Sequence, residues 1–136
     1  PVFETTKAYY VVHSYTSATA DGLAVNLWYS AYGWRNSGLL QAGGTPLPAY
    51  TAYRFAHSQL VGAAFVREIT EYEGVKGYEF DNGGKRLWVL WSLDGAAHVV
   101  SLPWVPRAVY GTFGDSKPIS GSSLVVTLEP LYVLSP

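Results

Sequence analysis

The chain has 136 residues and a mass of 14.8 kDa, enough for one domain with a core, or for one domain plus part of another. Lys and Arg number 9 against 10 Asp and Glu, and the formal net charge of -1 argues against a nucleic-acid surface or a polybasic membrane patch. No stretch reaches the roughly 18 apolar residues of a membrane span. The lack of Cys excludes disulfides and thiolate metal sites and leaves the compartment, secreted or cytoplasmic, open.

The first elements predicted are a helix and a buried strand. Thr5 or Thr6 can cap a helix from about Lys7 to Ala20, with Asp21-Gly22 as its stop. Residues 23 to 29 then predict a strand with apolar residues on both faces, which is typical of a strand covered by helices.

A long loop and a second helix follow. Residues 33 to 46 are rich in Gly, Asn and Ser, and Pro46 and Pro48 open a helix that runs to about Val61, with Gly62 as its stop. A strand, loop and helix cannot bury their own apolar faces, so we expect partners upstream of Pro1.

From Ala64 onwards the hydrophobic period changes to two, which predicts an antiparallel β-sandwich of about seven or eight strands. The Asn and Gly residues of 81–84 predict a hairpin turn. The strand after it is apolar on both sides and is therefore expected to be central. The predicted strands are 64–72, 75–80, 85–93, 98–102, 109–110, 124–128 and 131–134.

Together these segments resemble the C-terminal end of clan A glycoside hydrolases, nearest to the family 39-like group, in which a (β/α)8 barrel precedes a small β-sandwich. The resemblance rests on NLWYSAY, SGLLQAGGTPLPAYTAY, LVGA, GVKGYEF, LWVLWS, AVYGTFG and LEPLYVL. It implies that residues 1–62 are a barrel remnant (helix 7, strand 8 and helix 8), and that residues 63–136 are the sandwich domain. One departure is Gly111, which stands where similar sandwiches often carry an acidic residue.

The same resemblance puts the catalytic acid/base and the nucleophile at the ends of the fourth and seventh barrel strands, before Pro1. We therefore expect this chain to be a fragment that is inactive alone and whose parent meets carbohydrate through the barrel. Retaining glycosidases need two carboxyl groups roughly 5 Å apart. The acidic residues here are interpreted otherwise, Glu4 as a helix start and the rest as surface or turn residues: Glu68, Glu71, Glu73, Glu79 and Asp81.

Aromatic residues are the candidates for substrate contact. The resemblance places Trp28 at the mouth of the barrel, where an aromatic ring stacks under the sugar, although Trp28 could equally pack the barrel rim. Tyr32 and Trp34, with Arg35 and Asn36, lie in the following loop and could line the cleft or only cover the sandwich.

Other residue types give little sign of chemistry. The three histidines, His13, His57 and His98, lack the spacing and the acidic partners of a metal site or a catalytic triad, and we interpret them as structural or surface residues. The glycine pairs do not match a phosphate-binding loop. The sequence therefore predicts no catalytic residue, no metal and no cofactor in this chain.

Two other functions stay open. Trp104, between two prolines, could serve as a sugar platform in a carbohydrate-binding module. Alternatively the sandwich could be purely structural, packed on the second helix. In either case a strand without neighbours is a template for pairing, so we expect a homo-oligomer formed through residues 1–40, unless barrel contacts cover them.

Overall fold

The computed structural model describes residues 2–24, 26–28, 30–33 and 37–136. These residues form two helices and seven strands, and the strands make a five-stranded and a two-stranded antiparallel sheet. The predicted class, mainly β with an antiparallel sandwich of seven or eight strands, is confirmed. The elements are α1 (Val2–Ala20), α2 (Pro48–Leu60), β1 (Ala64–Ile69), β2 (Val75–Asn82), β3 (Lys85–Ser92), β4 (His98–Ser101), β5 (Ala108–Tyr110), β6 (Ser123–Val126) and β7 (Leu131–Leu134).

Helix α1 begins five residues earlier than predicted, so the caps proposed at Thr5 and Thr6 are wrong. The carboxylate of Glu4 lies in the first turn, where it complements the positive end of the helix dipole, and it pairs with Lys7 one turn later at 2.9 Å. The predicted stop is confirmed. Gly22 has a φ of 68°, and the amide of Leu23 bonds to the carbonyl of Ala18.

The strand predicted over residues 23–29 does not form in the described residues. Positions 23, 24 and 26–28 have irregular backbone, and Val25 and Tyr29 lie outside the described residues. A strand exists only where another strand receives its backbone hydrogen bonds. None of the strands in the described part of the chain runs beside this segment.

Helix α2 matches its prediction closely. Pro48 is at its start, where a missing N–H costs nothing, and Gly62 follows its end with a φ of 73°. Its small residues Ala49, Ala52 and Ala56 are fully buried and let the helix approach α1 and the sheet closely.

The five-stranded sheet has the order β1-β2-β3-β7-β5, which places β3 at its centre as predicted. Asn82 pairs directly with Lys85, so the β2–β3 turn consists only of Gly83 and Gly84, both at positive φ. The predicted four-residue turn was too long, because Asp81 and Asn82 continue the strand.

The two faces of this sheet are buried by different elements. Both helices cover one face through Leu87, Val89 and Tyr132, and β4 with β6 covers the other through Trp88 and Leu90. The molecule therefore has three layers: helices, a five-stranded sheet and a two-stranded sheet.

Helix α2 is joined to the sheet by Phe55. Its ring meets Tyr132 at 5.0 Å and Tyr110 at 5.8 Å, both edge to face. Gly114 lies directly under this ring, since a Cβ at that position would be 2.7 Å from a Phe55 ring carbon. The close approach of the loop after β5 to α2 thus requires a glycine.

We expect Gly114→Ala to destabilise the chain more than Gly121→Ala. Both glycines have positive φ, at 85° and 64°, but a Cβ at Gly121 meets nothing within 4 Å. Gly121→Ala should therefore cost only the backbone strain, about 1 kcal/mol, whereas Gly114→Ala adds a clash worth a further ~1–3 kcal/mol. Urea unfolding of the two variants measures the difference, and equal losses would contradict the assigned Phe55 contact.

Candidate functional site

Trp28 lies on the segment that crosses the two helices. Its indole N–H donates a hydrogen bond to the carbonyl oxygen of Ser37 at 3.0 Å. The ring borders a small cavity of about 10 Å³ with Tyr15 and Tyr53, and 36% of its surface is exposed. Trp28 is thus packed on the helices and partly open to solvent, a position compatible with both interpretations, so its contact with sugar stays a prediction.

The other predicted loop residues are only partly described. Tyr32 is 60% exposed and forms an isolated β-bridge with Leu40. Trp34, like Arg35 and Asn36, lies outside the described residues. The structure therefore places Trp28 and Tyr32 on the same segment, and their role in binding stays a prediction.

An ion pair that the sequence analysis did not associate with this loop lies at the start of α1. Lys7 is 7% exposed, and its ammonium donates to the carbonyl oxygen of Gly38 at 3.0 Å while facing the carboxylate of Glu4. A buried cation of this kind fixes the loop backbone next to Ser37, the acceptor for Trp28. The sequence gives no signal for this contact, because it joins residues 31 positions apart.

A polar aromatic cluster lies between the helices beside Trp28. The hydroxyl of Tyr15 and Nδ1 of His57 are hydrogen-bonded at 3.1 Å, and the Tyr53 ring stacks on His57. Burial raises the pKa of Tyr15. This phenol therefore stays protonated at neutral pH, and its hydrogen bond with His57 joins the two helices.

Trp104 is half-buried in the sandwich. Its ring packs edge to face on Trp88 at 5.2 Å and contacts the core between the two sheets. Phe65 on the edge strand is more exposed, at 44%. An aromatic ring already in contact with the core offers less surface for a sugar, and the platform role of Trp104 stays a prediction.

The surface interpretation of the carboxylates is correct for Glu68, Glu71 and Glu73 but wrong for Glu79. Glu79 is 3% exposed, and its carboxylate accepts from Arg67 at 2.9 Å and lies 3.6 Å from Arg86. The error arises because β2 itself carries Gly77, Glu79 and Asp81 on this face, whereas the apolar residues that show it to be covered, Trp88 and Leu90, lie on the neighbouring strand.

The ion pairs of Glu79 lie towards β1. A second charged network, which the sequence analysis did not identify, lies at the opposite margin of the sheet, towards β5. The Lys117 ammonium contacts Asp115 at 2.9 Å and Glu129 at 3.0 Å. Gly111 makes room for it, because a Cβ there would lie 2.5 Å from both Glu129 Oε1 and Lys117 Cε. The hydrogen bond from Lys117 lowers the pKa of Asp115.

This electrostatic setting is opposite to that of a general acid. A catalytic proton donor needs a carboxyl group whose pKa is raised by burial or by a neighbouring negative charge. Asp115 has a lowered pKa, and Glu79 and Glu129 each face a basic side chain. None of these three carboxyl groups has the surroundings of an acid that protonates a glycosidic oxygen.

The expectation that the histidines lack acidic partners is wrong for His98. Its Nε2–H donates to Asp94 Oδ1 at 2.8 Å, and the Ser92 hydroxyl donates to the same oxygen at 2.8 Å. In a catalytic triad the histidine lies between serine and aspartate, whereas here the aspartate is in the middle. The hydrogen bonds among these three residues stabilise the turn after β3, and they do not activate Ser92 as a nucleophile. The sequence did contain a signal for this contact, because Asp94 lies four residues before His98.

His13 is structural, as predicted. Its ring stacks on Trp91 with centroids 4.5 Å apart, and Nε2 lies 3.2 Å from the carbonyl oxygen of Leu128. Burial lowers the pKa of His13 to about 4. The neutral ring donates Nε2–H to the carbonyl and joins α1 to the loop before β7.

The described residues give two further findings. Neither helix is long and apolar enough to cross a membrane. In the described ranges, no three or more His, Asp or Glu side chains are grouped to hold a metal ion.

No protein-family model and no curated protein matches this sequence. Solved structures do match in fold. A family 39 glycoside hydrolase from Bacteroides cellulosilyticus has a TM-score of 0.62 and 21% identity, over 74% of this chain and 22% of its own. A GH30 endoxylanase from Clostridium papyrosolvens has a TM-score of 0.59 and 15% identity, over 92% and 37%.

An Anoxybacillus α-amylase is similar over all of this chain and 33% of its own, with a TM-score of 0.53 and 12% identity. The chain has a glycoside hydrolase-like fold. It spans between about a fifth and two fifths of the lengths of these three enzymes. At such identities the likeness shows the fold alone.

We expect the free energy of unfolding to fall as the pH drops below about 6.5, partly through His13. The pKa of His13 is about 4 in the folded chain, below the ~6.5 of an unfolded one, so the unfolded state takes up its proton first. The stabilisation is complete above pH ~6.5 and is lost towards pH 4, on the order of 2–3 kcal/mol.

The measurement is urea unfolding at about pH 7 and about pH 4.5, followed by Trp fluorescence. Carboxylates with lowered pKa values, such as Asp115, contribute to the same loss, so the variant His13→Gln serves as the reference. Its amide can still donate to Leu128 but does not titrate. A smaller pH dependence in His13→Gln is expected, and an equal one would show that His13 is not responsible.

Proposed function

We propose that this chain is the C-terminal portion of a glycoside hydrolase, nearest to the family 39-like group, and is not catalytic by itself. Residues 1–62 would be the last helices and loop of its (β/α)8 barrel, and residues 63–136 an accessory sandwich. Support comes mainly from the fold likeness, which covers most or all of this chain but only a minority of each hydrolase.

The packing of α2 is in keeping with an accessory role for the sandwich. Ala52, Ala56 and Leu60 of α2 are buried in one core cluster with α1 and the five-stranded sheet, and Phe55 contacts β5 and β7. A helix fixed in this way would hold the sandwich at a defined place on the barrel. On this proposal the contact between the sandwich and the barrel is structural, and Trp28 with its loop would face the substrate.

The apolar surface of α1 and the following segment supports a covering partner. Val2 and Phe3 at the start of α1, and Leu23 and Leu27 after its end, are all more than half exposed, with Leu27 at 83%. A partner that packs along α1 would cover both pairs. In the parent protein we propose that this partner is the rest of the barrel.

The purified 136-residue chain should not hydrolyse aryl glycosides, because none of Glu79, Asp115 and Glu129 is placed as a catalytic acid. We expect release of nitrophenol at the rate of the buffer, with a purified glycosidase as positive control. Turnover that disappears in Glu79→Gln or Glu129→Gln would contradict the proposal. In the coding sequence upstream of Pro1 we expect two Glu residues, at the ends of the fourth and seventh predicted barrel strands.

Without its proposed cover, the isolated chain should self-associate through the apolar surface around Leu27. Sedimentation velocity over a range of concentrations should show a dimer or larger species, and Leu27→Arg should shift it towards the monomer. Val99→Arg is a matched control, since Val99 is 72% exposed on the opposite side of the molecule, on β4. A wild-type chain that is monomeric at all concentrations would argue against this surface being an interface.

A further inference from the structure

A groove opens on the side of the sandwich where β6 has no neighbouring strand beyond it. The two-stranded sheet is narrower than the five-stranded one, so part of the inner surface stays accessible beside β6. The cavity has a volume of about 320 Å³, at the lower end of the ~300–1,000 Å³ typical of small-molecule sites. We call it the β6 groove, and Lys117, Ser120, Ser123, Val125, Glu129 and Leu131 line it.

The charged groups at the β6 groove leave no excess of positive charge. Lys117 lies between the carboxylates of Asp115 and Glu129, at 2.9 and 3.0 Å, so the groove carries no excess positive charge for a phosphate or sulfate. A carboxylate oxygen beside an ammonium presents an acceptor and a donor side by side. A hydroxyl group, which both donates and accepts, can use both of them at once.

Two hydroxyl groups also line the groove. Ser120 and Ser123 are exposed, and their side chains make no hydrogen bond within the described part of the chain. The lining also includes two apolar side chains: Val125, which is half exposed and lies two residues after Ser123 on the same face of β6, and the buried Leu131. The groove therefore offers hydrogen bonds and, beside them, an apolar surface for C–H groups.

We propose that the β6 groove binds one or two rings of a neutral saccharide, with hydroxyl groups towards Lys117 and Glu129 and the C–H face on Val125. A sugar ring has both surfaces, polar at its edge and apolar on its face. The choice of a saccharide over other neutral polyols rests on the proposed function. The groove is distinct from Trp28 and from Trp104, neither of which lines it.

Affinity electrophoresis of the whole chain in gels that contain soluble β-glucan, xylan, mannan or starch tests the binding. The decisive variant is Val125→Arg, which fills the groove with a long side chain. Val99→Arg is its control, because Val99 pairs directly with Val125 across the sheet, is also exposed, and gains the same charge outside the groove. Trp28→Ala and Trp104→Phe test the two other candidate positions.

We expect retardation by at least one glycan in the wild type and in Val99→Arg, and a loss of at least about tenfold in affinity in Val125→Arg. Retardation that survives Val125→Arg but disappears in Trp28→Ala or Trp104→Phe would overturn the groove as the site. No retardation by any glycan would also overturn it. Neither result bears on the proposal that this chain is part of a glycoside hydrolase. The aryl glycoside assay and the upstream coding sequence test that proposal separately.

Should Val125→Arg not fold, amide NMR shifts in the wild type locate the sugar. We expect the glycan's monosaccharide or disaccharide to shift the amides of residues 117–131. Shifts confined to residues 26–40, or none at millimolar sugar, would contradict the proposal.

Discussion

The architecture depends on a sheet that is apolar on both faces. β3 shows the constraint most directly, since Leu87 and Val89 face one side and Trp88 and Leu90 the other, and all four are buried. Such a sheet is stable in water only if both faces are covered. The helices cover one face and the β4–β6 pair covers the other, so the helices contribute to the core as fully as the second sheet does. Removing either layer would expose large aromatic and aliphatic side chains.

The covering layer of two strands is narrower than the sheet of five, and charged networks lie where it ends. Towards β1, Arg67 and Arg86 neutralise Glu79, and the Arg67 guanidinium lies 5.6 Å from the Trp88 ring centre. Towards β5, Lys117 joins Asp115 to Glu129. Each network combines partial burial with opposite charges, which is the condition under which a carboxylate tolerates loss of water. The β6 groove is the part of this margin that remains open.

Local patterns predicted most of the fold, whereas the contacts that define the candidate sites are long-range. Period-two alternation and the Gly83-Gly84 turn were sufficient for β2 and β3, because strand and turn signals lie within a few residues. The strand prediction for residues 23–28 was wrong because an apolar run indicates burial but does not specify which strand would pair with it. The contacts of Lys7 with Gly38 and of Lys117 with Glu129 join distant positions, and no periodicity encodes them.

Gly111, where the sequence resemblance leads us to expect an acidic residue, lies among charged side chains of neighbouring segments. In this chain a Cβ at position 111 would lie 2.5 Å from Glu129 Oε1 and 2.7 Å from Asp115 Oδ1, so two carboxylates already occupy the space around it. The negative charge comes from neighbouring segments and pairs with Lys117, and a side chain at position 111 would have to displace the ends of these charged side chains. The same lack of a side chain leaves Lys117 and Glu129 free to line the β6 groove.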